Sequence, residues 1–176
     1  MLEANRMHYH SSEVRELHLS RLQLSGLLTV ELAKLRQRCR LSLYSNSLNG
    51  SIPGGMSQCI LLRAIYLQYN SLSGNLWSVF FPNLTIYLQY NSLSGNLWSV
   101  FFPNLTNLQV LNLAHNHLSG AIFGQDPISL RVLDLSSNSF AGEIPTNFFV
   151  THQLQLINLS FNYFSGAIPT TIGALQ

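Results

Sequence analysis

Charge is scarce in this chain. Only 9% of its 176 residues are Asp, Glu, Lys or Arg, while 47% are apolar. Disordered chains show the opposite balance, so the composition excludes a solvated, unstructured polymer. The formal net charge is +2, too small to draw the chain to nucleic acid. Lys34, Arg36, Arg38 and Arg40 cluster early, and only Arg63 and Arg131 follow. Such a cluster reads as a solvated face. Cysteine is limited to Cys39 and Cys59, too few for a disulfide scaffold, and the two are read as free thiols. No apolar run approaches about 18 residues, so no membrane helix and no direct membrane insertion are expected. The opening MLEANRMHYHSSEVREL carries charges where an export signal needs an apolar core. Residues 1–13 are expected to form a disordered leader ahead of a single array over 14–176.

What the chain has in quantity is one pattern. LSLYSNSLNGSIP runs from Leu41 to Pro53, IYLQYNSLSGNLW starts at Ile65 and again at Ile86, and LNLAHNHLSGAIF starts at Leu111. LDLSSNSFAGEIP starts at Leu133 and INLSFNYFSGAIP at Ile157, while LHLSRLQLSGLL from Leu17 is a weaker first unit. The shared frame is LxLxxNxLxGxIP. Its register residues are Leu22, Asn46, Asn70, Asn91, Asn116, Asn138 and Asn162, spaced 24, 24, 21, 25, 22 and 24 apart. Seven units in one phase, all within 20–29 residues, are the signature of leucine-rich repeats. The 21 residues Ile65 to Thr85 recur letter for letter as Ile86 to Thr106. This identity reads as a recent duplication or a fault in gene prediction. The copy lacks the NLQV that precedes Leu111, so strain is expected at its junction.

The frame has a direct physical reading. In LxL the side chains alternate, so both leucines face inward and the x residues face out. One short strand per unit stacks into a parallel sheet, and each buried leucine contributes roughly 1.5–3 kcal/mol. A single coil cannot bury its own face, so stability comes from contact between neighbours. The expected fold is a solenoid of the α/β horseshoe type. Its concave face carries the strands and its convex side carries turns and 3-10 segments. Asn46, Asn70, Asn91, Asn116, Asn138 and Asn162 are expected to form a ladder that satisfies backbone groups where the chain turns inward. The following glycines are read as tight turns. Arg38 stands where the frame wants an apolar residue, so it is expected to snorkel outward. Trp77, Trp98 and Phe123 fill the proline slot and should cover the outer face or leave apolar area exposed.

NxLSGxIP after LxLxx, in units near 24 residues, resembles the plant-type leucine-rich repeat. More narrowly, LRAIYLQYNSLSGNL, NLTNLQVLNLAHNHLSG and LQLINLSFNYFSGAIPTTIGALQ resemble the amino-terminal repeats of plant leucine-rich-repeat receptor-like serine/threonine kinases. The resemblance covers about Val14 to Gln176. It implies an extracellular array at the plasma membrane, with a signal peptide and a cysteine-paired cap before it. More repeats, a membrane helix and a cytosolic kinase would follow. Here no cysteine precedes Cys39, the chain stops within a repeat, and no glycine-rich phosphate loop, HRD or DFG occurs. The chain is therefore expected to be non-enzymatic, a piece of a receptor ectodomain.

No serine, histidine and carboxylate fall in an order that suggests a triad. His8 and His10 have metal-compatible spacing but lack a partner set, so neither cofactor nor metal is expected. The sequons are Asn49 (NGS), Asn83 and Asn104 (both NLT) and Asn158 (NLS). They are candidate glycosylation sites if the chain is exported. The outward positions form three rows. One reads Ser42, Tyr66, Tyr87, Asn112, Asp134 and Asn158. A second reads Tyr44, Gln68, Gln89, Ala114, Ser136 and Ser160. A third reads Ser45, Tyr69, Tyr90, His115, Ser137 and Phe161. Tyrosine with little charge suits recognition of a peptide or protein, or of a co-receptor. The candidate contacts are Tyr44, Tyr66, Gln68, Tyr69, Tyr87, Gln89, Tyr90, Asn112, His115, Asp134 and Phe161. The same tyrosines would also stack on one another in the absence of any ligand. Two other readings stay open: a secreted repeat protein inhibiting a cell-wall hydrolase, and a truncated gene product without independent function.

Overall fold

The computed structural model describes residues 16–34, 40–58, 62–76, 85–96, 107–122, 129–146 and 153–174. The leader over 1–13, Arg38, Cys39, Cys59, Trp77, Trp98, Phe123, Asn83 and Asn104 lie outside the described residues.

Two parallel sheets run the length of the solenoid. The first contains β1 (Glu16–His18), β3 (Arg40–Ser42), β5 (Ala64–Tyr66), β7 (Thr85–Tyr87), β9 (Val110–Asn112), β11 (Val132–Asp134) and β13 (Leu156–Asn158), in chain order. Equivalent positions face one another: Leu17 pairs with Leu41, Leu41 with Ile65, Ile65 with Ile86 and Ile86 with Leu111. The inward leucines of LxL are buried as alternation requires, with Leu41, Ile65, Leu67, Ile86, Leu111, Leu113, Leu133 and Leu135 all at 0% exposure. Leu62, Leu108 and Leu130, three places before LxL, join the same core.

The second sheet consists of β2 (Ser25–Leu27), β4 (Ser47–Gly50), β6 (Ser71–Gly74), β8 (Ser92–Asn96), β10 (His117–Gly120), β12 (Ser139–Glu143) and β14 (Tyr163–Ser165). The sequence reading placed only turns and 3-10 segments beyond the ladder. The 3-10 segments are present at Val30–Lys34, Gly54–Gln58 and Thr170–Ala174, but the frame's xLxG stretch is a strand. Its pairing is shifted two residues from the first sheet. Each glycine stands opposite the inward apolar residue of the next coil, as in Gly50 with Leu72, Gly74 with Leu93, Gly95 with Leu118 and Gly120 with Phe140. At Gly120 the backbone has φ +95°, and a Cβ there would fall 2.7 Å from the Asn96 side chain. Any other residue there would carry the left-handed strain and have to push the Asn96 carboxamide aside.

The two-residue shift has a cause in the asparagines. Asn46 Oδ1 accepts from the Leu24 N–H of the preceding coil at 3.1 Å, while its Nδ2 donates to Leu19 O and Leu43 O at 2.9 Å each. Asn116 repeats this with Leu93 N–H at 3.0 Å and with Leu88 O and Leu113 O at 3.0 Å. Each carboxamide thus joins its own coil to the one before, reaching a donor two places beyond that coil's register residue. This fixes the step between coils and satisfies backbone groups turned away from water.

The duplicated coil enters the array in register. Thr85 takes the position of Ala64 and Val110, its N–H donates to Arg63 O at 3.1 Å, and Ile86 and Leu88 are 0% and 1% exposed. The strain expected at the junction does not disturb the register of β7; the connection before it lies outside the described residues.

Candidate functional site

The outward face of the first sheet carries the predicted rows, with one change of geometry. Strict alternation would turn the fifth frame position inward and the asparagine after it outward. The chain resets the phase there with a left-handed residue. Ser45, Tyr69, Tyr90, His115, Ser137 and Phe161 all have φ between +53° and +58°, and Arg21 has φ +59°. Side chains larger than glycine cost about 1–2 kcal/mol in this region. Bonds between coils hold them there. Tyr90 N–H donates to Ala114 O at 3.0 Å, and Asn91 N–H donates to His115 O at 3.3 Å. The third row therefore stands just past the strand ends, while its side chains still face out.

Two columns of rings follow from the stacking of coils. Tyr66 and Tyr87 lie 5.3 Å apart, centre to centre, with planes 11° from parallel. Tyr69 and Tyr90 lie 4.6 Å apart, and His115 continues that column 4.1 Å beyond Tyr90. Tyr69 and Tyr90 remain 50% and 42% exposed. Both faces of Tyr90 and the Tyr90-facing side of Tyr69 are taken by stacking, so ring edges and hydroxyls are much of what the surface offers. Phe161 belongs to the same row but stands apart, 82% exposed. Nearer the start, Arg21 lies over the Tyr44 ring at 5.4 Å, a cation–π contact.

The middle row is quieter. Gln68 Oε1 and Gln89 Oε1 are buried without a hydrogen bond among the described residues. Further along, the first row caps the middle one. Asn112 Oδ1 accepts from Ala114 N–H at 3.1 Å. Asp134 Oδ1 accepts from Ser136 N–H at 3.0 Å and from Ser136 Oγ at 2.7 Å. Asn158 Oδ1 does the same with Ser160, at 3.2 and 2.8 Å. Ser136 and Ser137 were in the rows as sequence but were not singled out; their shared register was the available signal.

At the opposite end, Glu16 is held by His18 Nε2 at 3.0 Å and faces Arg40 Nη1 at 3.5 Å. The hydrogen bond from His18, then the Arg40 charge, keeps its carboxyl below the usual range. Of the sequons, Asn49 is exposed in β4 and Asn158 sits half-buried on β13. Among the described residues, no three His, Cys, Asp or Glu side chains gather into a metal-binding group. No helix among them is long and apolar enough to cross a membrane.

Comparisons with known proteins agree with this geometry. The Leucine Rich Repeat family pattern matches residues 107–125, 129–150 and 153–175. Receptor-like protein 43 of Arabidopsis thaliana is 29% identical over 129 residues, which are 72% of this chain and 18% of the relative. Receptor-like protein 53 of the same plant is 40% identical over 112 residues, which are 62% of this chain and 12% of the relative. The Arabidopsis receptor kinase HAESA, solved with the peptide hormone IDA and the co-receptor SERK1, aligns with a TM-score of 0.82 at 33% identity. That alignment covers 89% of this chain and 27% of the receptor. The chain spans less than a fifth of the curated relatives it matches. Its repeats and its paired parallel sheets make it a leucine-rich-repeat solenoid, and these likenesses are to plant receptor-like ectodomains.

Proposed function

We propose that this array is an extracellular, non-catalytic recognition module that binds a peptide or protein partner through the outward face of the first sheet. The observation that carries the reading is the pair of outward ring columns, half-buried Tyr66–Tyr87 and exposed Tyr69–Tyr90–His115, on a surface with few charges. Rigid aromatic edges with hydroxyls supply contact area at low entropic cost. HAESA, the aligned receptor, is solved with both a peptide and a co-receptor, which supports partners of the same two classes here. Asn49, Asn83, Asn104 and Asn158 would carry glycans on export, and a glycan at Asn158 would stand on the binding face.

Selection of a displayed random peptide library against the full chain tests this. Enriched peptides should lose about tenfold in affinity when Tyr87→Ala or Tyr90→Ala removes a ring, the size expected of an interface anchor. Binders indifferent to substitutions in all three rows would place recognition elsewhere.

A further inference from the structure

The third row is interrupted at one coil. His115, Ser137 and Phe161 share one register, since His115 N–H donates to Ser136 O at 2.9 Å and Ser137 N–H donates to Ser160 O at 3.0 Å. Their φ values are +53°, +54° and +55°. The same backbone conformation at the same register directs the three side chains alike. Two ring-bearing residues therefore flank a serine, separated by two strand spacings, about 9–10 Å. The faces turned toward Ser137 are not covered: His115 is stacked only against Tyr90 among the described residues, and Phe161 is 82% exposed.

The coil that leaves this gap also supplies a charge. From Ser42 to Phe161, Asp134 is the sole charged side chain in the three rows. Its Oδ1 is drawn toward the strand exit by Ser136 N–H and Ser136 Oγ, and no cation pairs with it among the described residues. A planar cation midway between the two rings would lie about 5 Å from each, inside the cation–π reach of about 6 Å at Phe161, with the His115 imidazole as a flat wall on its other side. The same face already holds such a contact, Arg21 over Tyr44 at 5.4 Å.

We propose that the gap over Ser137, walled by His115 and Phe161 and floored near Asp134, seats one arginine side chain of the partner. Asp134 supplies the counter-charge and the flat guanidinium lies between the rings. This deepens the recognition reading given above and rests on it.

The test uses small probes, so it does not depend on finding the partner. N-acetyl-arginine amide is titrated into the isotope-labelled full chain, with aromatic resonances of His115 and Phe161 observed by NMR. Saturable shifts at both rings are expected, weakening as salt screens the pair. N-acetyl-citrulline amide, equal in shape but neutral, should bind about tenfold more weakly, and Asp134→Asn should weaken the arginine probe by about as much. Asp134→Asn keeps the local fold, because Asn112 and Asn158 make the same bond at the same position. Ser137→Tyr should abolish the response by filling the gap; Tyr69 and Tyr90 already occupy that backbone conformation. Absence of saturable shifts at the two rings, or equal response to both probes, overturns the proposal. Library peptides that depend on Tyr87 but show no arginine preference would overturn it while leaving the wider recognition reading intact.

Discussion

The ring of Tyr90 lies 4.1 Å from that of His115, with the two planes 11° apart. Both residues sit at left-handed backbone positions, φ +56° and +53°. The contact therefore exists because neighbouring coils repeat the same uncommon conformation. If stacking offsets part of that backbone cost, the pair should show positive coupling. A double-mutant cycle of Tyr90→Ala and His115→Ala is expected to give about 0.5–1.5 kcal/mol. Tyr90→Gly should be less damaging than Tyr90→Ala by about 1 kcal/mol, since glycine adopts this φ freely. Additive single mutants in urea unfolding would mean the rings are neighbours without energetic consequence.

The asparagine ladder makes a graded prediction. Asn116 is buried and serves the Leu93 N–H together with the Leu88 and Leu113 carbonyls. Asn116→Ala leaves these groups without their partner and should cost about 2–4 kcal/mol. Asn46 is only half-buried, so water can replace part of what Asn46→Ala removes. Its cost should be about half as large. Equal losses at the two sites, measured by chemical denaturation, would contradict the burial argument.

Two glycines with similar backbone angles should respond differently to alanine. Gly26 has φ +92° with nothing within 4 Å of a built Cβ, while Gly120 has φ +95° with the Asn96 side chain at 2.7 Å. Gly26→Ala carries the backbone cost alone, about 1–3 kcal/mol. Gly120→Ala adds a clash between coils and should be worse by about 1–2 kcal/mol. Thermal unfolding of both variants would show it, and a larger loss at Gly26 would refute it.

The duplicated segment offers a test of modularity. Deleting 86–106 should leave a folded array, because Thr85 would run into the Asn107–Leu108 stretch that already leads to β9. The first sheet has seven strands, and the denaturant m-value scales with the surface exposed on unfolding. It should therefore fall by about one seventh, within a single transition. Loss of cooperative unfolding would mean that the second copy is structurally required and not a repeatable coil.

Much of the architecture was legible in the chain itself. LxL with a period near 24 identifies which leucines are buried, because alternation along a strand is a local property and stacking merely repeats it. The outward rows were legible for the same reason. The phase reset at Tyr69, Tyr90 and His115 was not, since nothing about tyrosine or histidine announces a left-handed residue. Their conformation is imposed by bonds to the adjacent coil. The second sheet was missed because a serine- and glycine-bearing stretch such as Ser71–Gly74 has weak strand propensity, and its partners are supplied only by neighbouring coils.

By itself, then, the sequence determined the coil: its length, its inward leucines, and an asparagine placed to answer the turn. Only the assembled solenoid decided what two coils do together. The two-residue shift that sets Gly50 against Leu72, the ring columns, and the uncovered gap between His115 and Phe161 all depend on register between strands. Register is a property of hydrogen bonds between coils, and those form only when successive coils have already stacked.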